Sequence, residues 1–158
     1  MINKSPTAFL WLLGNILLLA ACNGDRLYES FEDFPGQEWV VSDTVSFPVD
    51  SLSSDYSKIL SVGIRYNDSY EYHNLYLRFL LMDSLENVLV DSLVNLQLFD
   101  PKSGQPLGSG FGNRRTLYDT LPARELPAPA KVQFIQYMRK DTLEGIESIG
   151  LKIAAERD

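Results

Sequence analysis

Cysteine and histidine are nearly absent from this sequence, which contains one of each in 158 residues. A lone cysteine cannot form an intramolecular disulfide, and a lone histidine cannot supply the several imidazoles typical of zinc enzymes. Basic residues are also few, with 14 Lys and Arg against 21 Asp and Glu. The net charge of −7 gives no general attraction to phosphate backbones. We therefore expect no cofactor, no metal and no nucleic-acid partner.

A long uninterrupted apolar run is missing as well. Residues 8–19 are almost wholly apolar, but Gly14 and Asn15 interrupt them, and the run stays below the roughly 20 residues that a membrane-spanning helix needs. The preceding residues carry one positive side chain, Lys4. This pattern predicts an export signal over residues 1–21, and a permanent transmembrane helix is the less favoured alternative.

The signal segment closes with Leu19-Ala20-Ala21-Cys22, which resembles the bacterial lipobox. In that motif small residues fit the signal peptidase, and the cysteine receives acyl chains such as palmitate. We predict lipidation at Cys22; the alternative is a buried structural cysteine in a secreted chain. The mature chain, 22–158, would have 13 basic and 21 acidic side chains after loss of Lys4, a net charge of −8. Lipid rather than charge should then hold it to the bilayer.

Polar and acidic residues with isolated aromatics occupy residues 22–38, which include the turn signal Pro35-Gly36. We interpret this segment as a lipidated tether and residues 39–158 as one folded domain. Within the domain, short stretches of β-branched, aromatic and leucine residues alternate with turn residues. Strands are predicted at about 44–49, 58–66, 73–82, 88–98, 115–120, 131–139 and 148–154.

Period-two alternation in these strands predicts the fold class. Leu75, Leu77, Phe79 and Leu81 share one face of their strand, and polar residues share the other. This patterning favours an all-β fold, a single antiparallel β-sandwich of the jelly-roll or immunoglobulin-like type. Residues 85–98 could instead form a helix with a leucine stripe, but their valine, asparagine and serine content favours a strand. Residues 141–146 are expected to form a loop with at most one helical turn.

Several segments in a fixed order resemble a known family. They are Gly63-Ile64-Arg65-Tyr66-Asn67, Tyr70, Tyr72 and Asn74-Leu75-Tyr76-Leu77, Leu107 to Gly112, Gln136-Tyr137-Met138-Arg139, Leu143 to Ile146, and Ile149 to Ile153. Together with the lipobox they resemble the GldH family of gliding-motility lipoproteins of Bacteroidota. The resemblance implies a non-enzymatic envelope lipoprotein, required for gliding over surfaces and associated with type IX secretion. It implies no catalytic residues.

One strand carries the candidate binding surface. Its polar side would present Tyr70, Tyr72, Asn74, Tyr76 and Arg78 together if extended pairing began by Tyr70. Tyrosine rings cover area at low entropic cost and keep a hydrogen-bonding tip, so this surface could contact a partner protein or a glycan. The alternative is simple packing, either under a loop or in the core. A glycan-binding envelope lipoprotein is accordingly the second functional hypothesis.

Other chemistry-bearing residues have plainer interpretations. His73 is expected to be a satisfied or exposed side chain, and Ser109 lacks the G-x-S-x-G elbow of hydrolases. Asp100 to Gln105 predicts a β-turn without calcium, and the glycines of 107–112 predict positive φ or a bulge rather than a phosphate cradle. The basic pairs Arg114-Arg115 and Arg139-Lys140 are expected to be solvated or paired, or to meet an acidic partner or lipid headgroup.

An envelope hydrolase is the third functional class. It would need a cleft with converging carboxylates, for which Asp50, Asp55 and Asp68 are candidates. We expect no enzyme activity. For location, Asn23-Gly24-Asp25-Arg26 lacks the clustered acids that tend to follow the lipidated cysteine of surface lipoproteins in Bacteroidota. This favours the periplasmic leaflet of the outer membrane.

Overall fold

The computed structural model describes residues 25–52, 57–123 and 125–156. The predicted signal segment and Cys22 lie outside these residues. Among the residues described, no helix is long and apolar enough to cross a membrane.

The regular elements among the described residues are ten β-strands and one 3-10 turn, Pro35–Gln37. The strands are β1 (Arg26–Asp33), β2 (Glu38–Val40), β3 (Val45–Val49), β4 (Lys58–Tyr66), β5 (Asn74–Asp83), β6 (Val88–Gln97), β7 (Arg115–Thr120), β8 (Ala130–Gln136), β9 (Thr142–Glu144) and β10 (Ile146–Ala155). All of their pairings are antiparallel.

The strands form two four-stranded sheets and one small ribbon. Sheet I has the order β1-β10-β4-β7, sheet II has the order β3-β8-β5-β6, and β2 pairs with β9. Pro48 is tolerated in β3 because β3 is an edge strand, where a missing backbone donor need not break a ladder. The predicted all-β antiparallel sandwich is confirmed.

Alternating apolar side chains from both sheets make one core. The alternating residues of β4 from Leu60 to Tyr66 and of β5 from Leu75 to Leu81 are buried, as the period-two pattern predicts. Tyr66 connects the sheets, because its hydroxyl donates to the carbonyl of Leu98, just beyond β6, at 2.6 Å. Burial raises the pKa of Tyr66, so the hydroxyl stays a donor.

The seven predicted strands are all present, with ends that differ by three residues or fewer. The ambiguous segment, residues 85–98, contains strand β6. This strand pairs residue by residue with β5 over Asn74–Leu81. The predicted loop at 141–146 needs correction, since residues 142–144 form β9 and pair with β2. Gly145, at φ +78°, makes the tight link from β9 to β10 that only glycine adopts readily.

The predicted tether also needs correction for residues 26–38. Residues 26–33 form β1 and pair with β10 along their whole length. Tyr28 packs against the core, whereas Glu32 and Asp33 are exposed on this edge strand, where charge discourages unwanted pairing. Trp39 is buried and stacks on Phe34 with ring centroids 4.8 Å apart. The acidic composition therefore reflects an edge strand, and the folded body begins by Arg26.

Candidate functional site

The five residues of the predicted tyrosine surface do not share one face in the structure. Tyr70 is 4% exposed and belongs to the core, and its hydroxyl donates to the carbonyl of Asn74 at 2.8 Å. Burial, together with neighbouring Tyr72, raises the pKa of Tyr70. Tyr72 is half-buried and meets the Tyr70 ring edge-on at 5.7 Å. Because β5 begins only at Asn74, neither ring projects with Tyr76.

The remaining members lie on the outer face of sheet II. Tyr76 is 37% exposed, and Arg78 forms a two-pronged ion pair with Asp91, with nitrogen–oxygen distances of 2.9 and 2.6 Å. Asn74 donates to the side-chain oxygen of Asn95 on β6 at 2.8 Å. Tyr137 joins this face, 61% exposed, because its backbone N–H donates to the Tyr76 carbonyl. The open surface thus centres on Tyr76, Arg78 and Tyr137.

The other chemistry-bearing residues named from the sequence lie in turns, in loops or on the surface. His73 is exposed, and Ser109 makes an isolated bridge with Thr116. The predicted turn at 100–105 is confirmed, since the Asp100 carboxylate accepts from the N–H groups of Lys102 and Ser103. Gly108 and Gly112 have positive φ, as predicted. Lys140 pairs with Glu71 at 3.6 Å, and Arg139 is exposed.

Two of the three carboxylates named for a hydrolase lie among the described residues, in separate loops. Asp50 follows β3 and Asp68 lies in the turn after β4, both exposed, and Asp55 is outside the described residues. Within 25–52, 57–123 and 125–156, no group of three His, Cys, Asp or Glu side chains could hold a metal ion.

A row of four residues crosses the outer face of sheet I. In register order these are Phe31 on β1, Gly150 on β10, Gly63 on β4 and Tyr118 on β7. The two aromatic rings lean over the two glycines and meet edge-on at 6.2 Å. Glycines in sheet interiors permit this close approach. The Arg65 guanidinium covers the Phe31 ring at 3.8 Å from its centroid.

Both the hydroxyl group and the ring face of Tyr118 have partners. Its hydroxyl donates to the Glu29 carboxylate at 2.5 Å, and Lys152 lies 5.0 Å from its ring centroid. That hydrogen bond is the main reason why the pKa of Glu29 is lowered. Burial, followed by the bond to Glu29, raises the pKa of Tyr118 to about 12.

A groove of about 640 Å³ lies beside this row, which we call the sheet I groove. Its floor is the next register row on the same face of the sheet, two residues along each strand: Asp33, Ser148, Arg65 and Thr116. One wall is the turn from Phe34 to Gln37, and the other is the segment from Gly110 to Arg115. Phe111 lies on this second wall and is 95% exposed.

The groove holds an ordered polar network on one side. Glu147, whose side chain is 13% exposed, accepts from Arg114 Nε at 3.1 Å and from Asn67 Nδ2 at 3.1 Å. The same Asn67 amide nitrogen donates to Gln37 Oε1 at 2.8 Å. Gln37 has a left-handed backbone, with φ at +63°, which is uncommon outside glycine. The network fixes the turn against β10.

Arg115 lies in register with the buried Tyr66, so its side chain leaves β7 on the face opposite Arg65 and Thr116. The Nη1 atom of Arg115 donates to the backbone carbonyls of Gly112 and Arg114 at 2.8 and 2.9 Å. These are the hydrogen bonds that its side chain makes in the described part of the chain. The Ser148 hydroxyl is buried and has no hydrogen-bond partner among the residues described. Buried polar atoms rarely stay unsatisfied in native proteins.

Sequence reasoning identified Arg114 and Arg115 as a short basic pair but missed their groove. No local signal in the sequence marks this groove, because its lining comes from four strands and two loop segments.

Comparisons with known proteins identify relatives along most of the chain. The family model described as GldH lipoprotein matches residues 26–153. The gliding motility lipoprotein GldH homolog of Christiangramia forsetii is 30% identical over 148 residues, which cover 87% of this chain and 89% of that protein. The gliding motility lipoprotein GldH of Flavobacterium johnsoniae is 27% identical over 151 residues, or 90% and 92% of the two chains.

Among solved structures, the infectious bursal disease virus VP2 subviral particle is similar over 85% of this chain, with 15% identity and a TM-score of 0.42. This chain covers 33% of that viral chain. The family match and the two bacterial relatives extend over both sheets of the sandwich. On their evidence, this chain belongs to the GldH family of gliding-motility lipoproteins.

Proposed function

We propose that this chain is a non-enzymatic component of the gliding-motility and type IX secretion-associated machinery. In this proposal an acylated Cys22 anchors it in the outer membrane, in the periplasmic leaflet, and the sandwich acts through protein–protein contacts. The names of its relatives support the motility assignment. The order of small residues before Cys22 supports the anchor.

The position of β1 is the observation that carries the proposal. Arg26 follows Cys22 by four residues, which span at most about 14 Å when fully extended. From Arg26, β1 continues directly into sheet I and pairs with β10. The folded body is therefore held close to the anchor by its first strand. Such a short connection suits a protein that presents fixed surfaces to neighbouring envelope proteins.

Lipidation and partner recovery test this function together. Cells that express the wild-type chain and Cys22→Ala are fed an alkyne fatty acid, crosslinked intact, and the complexes are purified for mass spectrometry. We expect the label in the wild type alone, and we expect motility or secretion components among the crosslinked proteins. A wild-type chain that takes up no label, or that crosslinks to no such component, would contradict the proposal.

A glycan-binding lipoprotein is the second candidate, favoured by the exposed rings of Tyr76 and Tyr137 beside Arg78 on sheet II. The double variant Tyr76→Ala/Tyr137→Ala distinguishes the two functions. Loss of polysaccharide from the purified material, with protein partners retained, would support glycan binding at this face. Loss of protein partners would instead place the protein contact there.

A further inference from the structure

We propose that strand β6 is a homodimer interface, in which β6 of one copy pairs antiparallel with β6 of a second copy and Leu93 faces Leu93 at the twofold axis. The inference goes beyond the proposed function, because it names a second copy of this chain as a partner and does not depend on the other proteins that the chain contacts.

Three of the four outer strands in the two large sheets carry features that discourage pairing with another chain. Glu32 and Asp33 are exposed on β1, and Pro48 removes a backbone donor from the short strand β3. On β7, Thr116 exchanges two backbone hydrogen bonds with Ser109, which covers that edge locally. Charge, proline and a covering segment are common ways in which proteins protect sheet edges.

Strand β6, the fourth outer strand, lacks such protection over most of its length. Its ten residues contain neither proline nor lysine and one charged side chain, Asp91. The Asp91 carboxylate is bound by both prongs of Arg78, so its charge is already matched. Two residues further along the same outer face, Leu93 is 56% exposed. A long apolar edge of this kind is a template for pairing with another strand.

Backbone hydrogen bonds identify the residues of β6 that face the free edge. The Tyr76 carbonyl accepts from Tyr137 N–H, so even-numbered residues of β5 direct their backbone groups towards β8. The His73 carbonyl accepts from Leu98 N–H, so odd-numbered residues of β5 bond to even-numbered residues of β6. The odd-numbered residues of β6 therefore direct their N–H and C=O groups away from the sheet, among them Asp91, Leu93 and Asn95.

The free stretch is bounded at both ends. A β-bulge leaves Leu89 without a direct partner on β5, and residues 125–127 lie close to it. At the other end, Phe99 forms a bridge with Pro106. In the described part of the chain, β6 pairs with β5 alone. Residues 91–95 can therefore receive a second strand between these two covered ends.

The free stretch is complementary to itself in one antiparallel register. Pairing about Leu93 places Leu93 opposite Leu93, and Asp91 of each copy opposite Asn95 of the other, and each of these pairs exchanges two backbone hydrogen bonds. Asn95 Oδ1 accepts from Asn74 at 2.8 Å, so its amide nitrogen is the group that can donate to the second copy's Asp91. Pairing about Asp91 would place two carboxylates opposite each other, which is destabilising.

The twofold axis is compatible with the predicted anchor. An antiparallel continuation of sheet II needs an axis perpendicular to the sheet, so sheet I of both copies lies on the same side. Strand β1 belongs to sheet I and follows Cys22 closely in sequence. Two anchors can therefore reach one bilayer on that side, while the outer faces of sheet II turn away from it.

Disulfide trapping in intact cells tests the proposal on the full chain. Opposite residues of a hydrogen-bonded antiparallel pair have Cα atoms about 5.5 Å apart, a distance that a disulfide spans. Leu93→Cys should therefore form a dimer on mild oxidation, detected on a non-reducing gel and identified by mass spectrometry. The wild type, which keeps Cys22 as its one cysteine, gives the background.

Leu89→Cys is the matched control, because Leu89 is 50% exposed on the same strand. In the proposed register the two copies of residue 89 lie about 26 Å apart along the strands, at 3.3 Å per residue. We expect at least about tenfold more dimer from Leu93→Cys than from Leu89→Cys, since a disulfide cannot span that distance.

Sedimentation of the lipidated chain in excess detergent measures the same contact without a disulfide. Leu93→Lys places two like charges opposite each other, so the dimer dissociation constant should rise about tenfold or more. Leu89→Lys, the matched charge control, should stay within about twofold of the wild type, because residue 89 lies outside the paired stretch. Circular dichroism checks that both variants keep the fold. The trapping of Leu93→Cys decides the question even if the lysine variant fails to fold.

Several results would overturn the inference. They are equal trapping at residues 89 and 93, a monomeric wild type in sedimentation, and a disulfide from Leu93→Cys to a different protein in place of the second copy. The last would assign this edge to a strand of another partner. A monomeric chain that still crosslinks to motility or secretion components would overturn this inference and leave the proposed function standing.

Discussion

The ring of Phe31 lies across Gly150, its direct partner on β10, so closely that the glycine has no space for a side chain. A Cβ atom placed on Gly150 would lie 2.7 Å from two carbons of the ring. The same ring reaches Gly63 on the next strand, where a Cβ would lie 2.8 Å away. The Phe31 ring thus packs over two neighbouring strands, β10 and β4. This contact attaches the edge strand β1, which follows the predicted anchor, to the rest of sheet I.

Gly150→Ala should destabilise the fold because the added methyl group must displace the Phe31 ring. The cost of such overpacking is about 1–3 kcal/mol of unfolding free energy. Moving the ring would also weaken its contact with the Arg65 guanidinium. Urea denaturation followed by tryptophan fluorescence measures the change.

The double variant Phe31→Ala/Gly150→Ala is the control for this contact. Once the ring is removed, the methyl group has room, so the Gly150→Ala penalty should shrink. Contacting residues typically show coupling energies of about 0.5–3 kcal/mol. Strictly additive effects of the two substitutions would contradict a direct clash between ring and methyl group.

Tyr70→Phe should lower the unfolding free energy by about 1 kcal/mol, the typical net value of one hydrogen bond. The variant loses the bond to the Asn74 carbonyl at the start of β5 but keeps the buried ring. Tyr76→Phe is the matched control, because Tyr76 lies on an outer face. Thermal unfolding of both variants checks the difference. Equal melting temperatures would mean that the Tyr70 hydroxyl contributes nothing.

The central strands could be predicted because each carries its own signal. In β4 and β5, every second residue is apolar and faces the core, so period two identifies the strand and the buried face. Strand β1 lacks this signal, because Phe31 faces outward and packs on glycines far away in sequence. The sequence shows the glycines and the phenylalanine, but only the register of sheet I brings them together.

The candidate site depends even more on register. The floor of the groove combines residues from four strands, and its walls come from the 34–37 turn and the 110–115 segment. No local pattern places Arg65 beside Thr116 or buries Ser148 between Asp33 and Arg65. Conversely, the tyrosine surface assumed that extended pairing began by Tyr70. Pairing starts at Asn74 instead, and the turn before it directs Tyr70 into the core.

Tyr118→Phe should make the stability of the fold depend less steeply on pH under acidic conditions. The pKa of Glu29 is lowered chiefly by the Tyr118 hydrogen bond, so the folded state holds its proton less tightly than the unfolded state. This contribution is fully present above the ordinary pKa of 4.5 and is lost as pH falls through the lowered pKa. Denaturation midpoints between pH 6 and 3 should fall less steeply in the variant. An unchanged slope would contradict the coupling.

At alkaline pH the Tyr118–Glu29 pair has the opposite pH dependence, because its contribution to stability is lost as pH rises. Because the pKa of Tyr118 is raised from 10.0 to about 12, its folded state holds the proton more tightly. The resulting stability is complete below pH 10 and is lost as pH rises towards 12. Absorbance of tyrosinate during a pH titration of wild type and Tyr118→Phe follows this group. A difference spectrum that appears near pH 10 would contradict the raised pKa.

Ser148→Ala tests the cost of the buried hydroxyl that has no hydrogen-bond partner among the described residues. A buried hydroxyl without a partner costs about 1–3 kcal/mol in desolvation, so its removal should leave the unfolding free energy unchanged or raise it by about 1 kcal/mol. Urea denaturation followed by tryptophan fluorescence measures the change. A loss of more than about 1 kcal/mol would instead show that the Ser148 hydroxyl has a partner within the fold, because removing a satisfied hydrogen bond costs that much.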